Sequence, residues 1–140
     1  MEKKNQKKLF SKYNIHGNFS KDRGVTILAK KSIGVSISNM EKIDEKNTVL
    51  FPLTTSAGTE TDICAVYAPS DIDSPKFFEK AVDSVNNKAC PNRLIIGDFN
   101  TTISVGMDQL NYDTDPHYKC REFLTGLDSG EQFHDVFRAM

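Results

Sequence analysis

Leu94-Ile95-Ile96-Gly97-Asp98-Phe99-Asn100 is the stretch on which the fold turns. Arg93 to Gly97 is short and nearly continuously apolar, the pattern of a strand with both faces of its sheet covered. That strand would deliver Gly97, Asp98 and Asn100 to its carboxyl end, where α/β sheets bind ligands. On an extended chain Asp98 and Asn100 share a face, and Phe99 points the other way, into the core. Gly97 has no side chain, so substrate or backbone can approach closely. One carboxylate and one amide on a common face suit phosphodiester hydrolysis. The acid takes a proton from water or touches a divalent cation, and the amide holds a phosphate oxygen. The competing reading is a strand ending in an Asx turn, with both side chains serving local amides. On Gly97 to Asn100 alone, the turn is the stronger reading.

Working outward, Asp62 to Ala68 reads as a strand ending at Pro69. Ser74 caps a helix whose first position is Pro75, where a missing N–H costs no hydrogen bond. Phe77, Phe78, Ala81, Val82 and Val85 share one face of it, and Asn86, Asn87 and Pro91 end it. Asp62 to Gly97 is thus a strand–helix–strand crossover. Earlier, Gly24 to Ala29 reads as a buried strand and Ile33 to Ser38, with its period of two, as a half-buried one. Thr48 to Leu53 is a further strand, which Pro52 pushes toward an edge or an end. A second helix follows Pro116, with Tyr118, Phe123, Leu124 and Leu127 on its inner face and Gly130 past its end. Phe133 to Phe137 remains untyped. This order of elements predicts a layered α/β domain.

The 140 residues suffice for one domain or most of a larger one, and a net charge of -1 leaves no nucleic-acid footprint on the chain as a whole. Residues 1 to 12 are an exception, with Lys3, Lys4, Lys7, Lys8 and Lys12 against Glu2 alone. Such an arm can bind phosphate backbones, though a solvated, poorly ordered segment over residues 1–20 is the stronger reading. Cys64, Cys90 and Cys120 have no zinc or redox spacing, and reduced thiols in an intracellular protein fit them best. No apolar run approaches a membrane span, and the first 25 residues hold no secretory signal. Asp108, Asp113 and Asp115 lack the spacing of a calcium loop and read as a solvated loop.

Two more residues are candidates. Tyr67 closes the strand before Pro69, and a parallel neighbour would set it beside Asp98, its phenol donating to a phosphate oxygen; an amphipathic rim tyrosine is equally consistent. Asp135, in His134-Asp135-Val136-Phe137-Arg138, reads on spacing alone as a surface acid. Taken in order, Tyr67-Ala68-Pro69-Ser70, Gly97-Asp98-Phe99-Asn100-Thr101 and His134 to Arg138 resemble the endonuclease/exonuclease/phosphatase superfamily. The greatest likeness is to the apurinic-type endonuclease domain of non-LTR retrotransposons. The strand from Gly24, the helix opening Pro75-Lys76-Phe77-Phe78 and the loop holding Met107-Asp108 match that group too.

The resemblance implies a layered α/β sandwich over residues 21–140, the central part of one such domain and incomplete at both ends. It implies a metal-dependent DNA endonuclease with Mg²⁺ or Mn²⁺, working in the nucleus. Asp98 would orient or deprotonate the attacking water, Asn100 would bind the scissile phosphate, and Tyr67 would contact it. Asp135 would orient a catalytic histidine. The family's metal-binding Glu and its late Asp-His pair find no counterpart here, and Ser70 stands where many members have Asn. The expectation is therefore inactivity of the chain by itself, because losing members of a set that acts as a unit removes nearly all rate. The alternatives are a non-catalytic nucleic-acid-binding remnant and a superfamily member acting on another phosphate ester.

Overall fold

The computed structural model describes residues 11–19, 24–44, 47–71, 74–101, 117–130 and 133–135. The protein is mixed α/β, and its chain divides into two compact units. The first comprises Met1–Tyr67 and Ala81–Asp98, the second Ala68–Lys80 and Phe99–Met140.

In the first unit, β1 (Tyr13–Phe19) pairs antiparallel with β2 (Gly24–Lys30) as a two-stranded sheet. Part of the segment expected to be poorly ordered is therefore a strand. Its Ile15 is 42 % exposed, so the backbone ladder to β2 holds β1 more than apolar burial does. β2 is buried on one face only. Val25 and Ile27 pack on the core while Leu28 is exposed.

The main sheet runs β3 (Ser36–Ile37), β5 (Thr48–Thr54), β6 (Glu60–Tyr67), β7 (Arg93–Asp98), and β4 (Glu41–Lys42) also pairs with β5. All pairings are antiparallel except β6 with β7, which is parallel, as the crossover reading requires. The strand expected over Ile33 to Ser38 shrinks to β3. Lys31–Ile33 is a 3-10 turn closed by Gly34 at φ 66, a left-handed conformation that stops an extended run. Pro52 lies inside the sheet and not at its edge, because β5 has neighbours on both sides. Its carbonyl accepts from Ser38 N at 3.4 Å, so the N–H that proline lacks would face the break between β3 and β4.

Val49, Phe51, Ile63 and Ala65 form the core on one face of this sheet, with Val25, Ile27, Ile37 and Leu53 packed against them. Leu50, Cys64 and Val66 occupy the other face. There Ser84 of α1 (Lys76–Asn86) stands 4.0 Å from the Cys64 sulfur, and Ala81, Val82 and Val85 of the same helix are buried. β7 departs from its expected double cover. Among the described residues it pairs with β6 alone, and Leu94 and Ile96 are 36 % and 39 % exposed.

The second unit has its own core of Ala68, Phe78, Cys120 and Leu124, with Phe77, Phe99, Phe123 and Leu127 against it. The Phe78 and Phe99 rings stack at 5.7 Å, so Phe99 does turn into a core. α2 (Tyr118–Ser129) ends where Gly130 N donates to the Gly126 carbonyl. Tyr118, expected on the inner face, is 51 % exposed; its hydroxyl donates to Glu122 and the Arg121 guanidinium lies 5.7 Å from its ring. Cys120 takes the inward position.

Candidate functional site

Tyr67 is the last residue of β6 and Asp98 the last of β7, and the parallel register makes them direct partners. Register partners point to the same face of a sheet. The phenol and the carboxylate thus leave neighbouring strand ends about 4.8 Å apart, on the face that carries Ile63 and Ala65 lower down. Both residues are exposed. The apolar runs Ile63–Val66 and Leu94–Ile96 fold the strands side by side, and the polar side chains come at their ends.

Gly97 sits between the apolar run and Asp98 at φ 140. A Cβ there would fall 1.8 Å from the Val66 carbonyl oxygen. The close approach that Gly97 permits is therefore that of backbone.

Sequence reasoning missed the loop before β5. The Asp44 carboxylate accepts hydrogen bonds from Asn47 N, from Thr48 N at 3.1 Å and from the Thr48 hydroxyl at 3.1 Å. Asn47 O in turn accepts from Tyr67 N at 2.8 Å, which fixes the end of β6. The Asn47 side-chain oxygen is buried and meets no hydrogen-bond donor among the described residues. The signal was present as an Asp three residues ahead of Asn-Thr, the spacing of a side-chain-closed turn.

Asn100 and Asp135 belong to the second unit. The chain is not extended at Asn100, whose φ is 45, so the alternation expected to align it with Asp98 does not hold. Its amide Nδ2 donates to the Ala68 carbonyl at 2.6 Å, a bond within its own unit. That bond spans 32 residues of sequence and is not the local Asx turn weighed for this side chain. The Asp135 N–H donates to Asp128 at 3.2 Å, and His134 Nδ1 lies 3.8 Å from the same carboxylate oxygen. Both side chains of that ion pair are more than half exposed, so it contributes little.

Among the described residues, the divalent cation that the resemblance implies finds no ready donor set. Among the described residues no three His, Cys, Asp or Glu side chains come together as a metal-binding group. Lys3 to Lys8, Asp108 and Val136 to Arg138 lie outside the described residues. Among those described, no helix is long and apolar enough to cross a membrane. No family model matches the chain, and no curated protein matches it.

Proposed function

We propose that the chain is a phosphodiesterase-type domain of the endonuclease/exonuclease/phosphatase kind, that its ligand class is the DNA phosphodiester, and that by itself it binds without turnover. One observation carries this reading: the parallel pairing that sets Tyr67 beside Asp98 at adjoining carboxyl ends of strands. A phenol donates a hydrogen bond to a phosphate oxygen, and a carboxylate next to it is positioned to take a proton from an attacking water. The roles of Asn100 and Asp135 rest on the resemblance. Turnover needs more, because the leaving oxygen must be protonated as the phosphorus–oxygen bond breaks. The Glu and the Asp-His pair that the resemblance would join to Asp98 have no counterpart in the 140 residues.

Binding of a fluorescent DNA oligonucleotide at low salt tests the reading. Tyr67→Phe removes a donor and weakens binding about three- to tenfold. Asp98→Asn removes a negative charge facing phosphate and tightens it. Binding indifferent to both, yet lost when Lys3, Lys4, Lys7 and Lys8 become Ala, leaves only the remnant that grips DNA by its basic arm. Nicking of plasmid DNA with Mg²⁺ that disappears in Asp98→Asn would show that the chain turns over alone.

A further inference from the structure

Within the first unit, at the end of β6 away from Tyr67, lies a cleft of about 620 Å³, a volume in the range of small-molecule sites. Leu50, Pro52 and Asp62 line it. Leu50 pairs with Cys64 and Pro52 with Asp62, so these side chains share the sheet face opposite the Phe51 and Ile63 core. The segment from Lys88 to Asn92 forms another wall.

Several polar groups of the walls are engaged with one another. Lys88 Nζ bonds Glu41 Oε1 at 2.5 Å. The Cys90 thiol donates to the carbonyls of Glu60 and Asn92, each at 3.3 Å, and Asn92 Nδ2 donates to Glu60 O at 3.0 Å. Asp62 N–H donates to Asn92 O at 2.9 Å. The Asp62 carboxylate is not engaged in this way. The residue is only 6 % exposed, and among the described residues its side chain has no hydrogen bond or ion pair. A largely covered carboxylate with no donor beside it keeps only its contact with solvent in the cleft, and a cation arriving there supplies the missing partner. The charged residues of the lining are Glu41, Glu60 and Asp62 against Lys88. Lys88 is spent on Glu41, so the remaining field is negative. Pro52, Ala89 and Pro91 add apolar surface, which suits an organic cation over a hydrated one.

We propose that this cleft binds a small organic cation, an alkylammonium with a short apolar tail, whose charged head sits against Asp62. The site is separate from the Tyr67–Asp98 strand ends and does not depend on the phosphodiesterase reading. The test is a titration of the full chain with butylammonium chloride at fixed ionic strength, followed by amide NMR, with butanol as the neutral control. Saturable shifts at Glu60–Asp62 and Lys88–Asn92 are expected for butylammonium, with butanol about tenfold weaker or silent. Asp62→Asn should weaken the ammonium at least about tenfold. Lys88→Gln, which releases Glu41, should tighten it. Equal responses to the amine and the alcohol, no saturation, or an unchanged affinity in folded Asp62→Asn would each overturn the proposal. If Asp62→Asn does not fold, Ala89→Phe serves in its place: it fills the cleft from an exposed position and should abolish the shifts, and undiminished binding there would count against the site.

Discussion

Gly97 lies so close to Val66 that a Cβ on residue 97 would stand 1.8 Å from the Val66 carbonyl oxygen. The two residues are register partners, and Gly97 takes φ 140, which other residues rarely adopt. Gly97→Ala must push β7 off β6 at the point where the sheet presents Asp98. The expected loss is about 3 kcal/mol or more, in the range of strained-backbone and overpacking substitutions. Urea denaturation measures it, and a midpoint within error of the natural chain would refute the contact.

Asn100 separates two effects. It holds φ 45, which an Asn tolerates better than most residues, and its amide donates to Ala68 O at 2.6 Å. Asn100→Gly loses the hydrogen bond but relaxes the backbone, and should cost about 1 kcal/mol. Asn100→Ala loses the bond and keeps the strain, and should cost about 2–3 kcal/mol. Thermal melts of the pair give the ordering. If Ala is no worse than Gly, the backbone at this position is not held in the left-handed region.

Where side chains repeat with a clear period, the sequence was enough. The spacing of Phe78, Ala81, Val82 and Val85 placed α1, Ser74-Pro75 located its start to within a residue or two, and the crossover produced the parallel pair that sets Tyr67 by Asp98. What failed needed knowledge of neighbours. Leu94 and Ile96 look fully covered in sequence, yet among the described residues β7 has one sheet partner, and both are partly exposed. Strand β1 owes its place largely to backbone pairing with β2, and the short Tyr13-Ile15 alternation beside the lysine-rich start is easily passed over. Asn100 was placed beside Asp98 by assuming extended chain, and a single left-handed residue cancels that argument. Asp62 reads as a strand residue among others, and only burial and a bond inventory single it out.

The Asp44 turn is a compact test of buried hydrogen bonding. One carboxylate serves Asn47 N, Thr48 N and the Thr48 hydroxyl, and Thr48 is 2 % exposed. Asp44→Ala leaves those donors without their acceptor and should cost about 2–4 kcal/mol. Asp44→Asn keeps one acceptor oxygen and should cost less. Hydrogen exchange at Asn47 and Thr48 should accelerate most in the Ala variant. Unaltered exchange there would mean that the turn is closed by something other than Asp44.

Cys64 makes stability depend on pH at the alkaline end. Burial of this fully covered residue pushes its thiol up from 9.0 to about 11; the negative charge of Asp44 adds to the rise and the hydrogen bond with Ser84 works against it. The neutral thiol is therefore the form that the fold favours. Below pH 9 both folded and unfolded chains keep the proton, and the contribution is constant. Between pH 9 and 11 the unfolded chain loses its proton first, so it binds fewer protons than the folded chain and stability falls as pH rises. The loss attributable to this group approaches about 2–3 kcal/mol. Other groups titrate in the same window, so the informative quantity is the difference between the natural chain and Cys64→Ala, whose stability should fall less steeply above pH 9. Alkylation gives an independent check: at pH 8 iodoacetamide should modify the half-buried Cys90 in the native protein and reach Cys64 only after denaturant is added. Parallel pH profiles for the two chains, or prompt native-state labelling of Cys64, would mean that water reaches this face of the sheet and that α1 does not seal it.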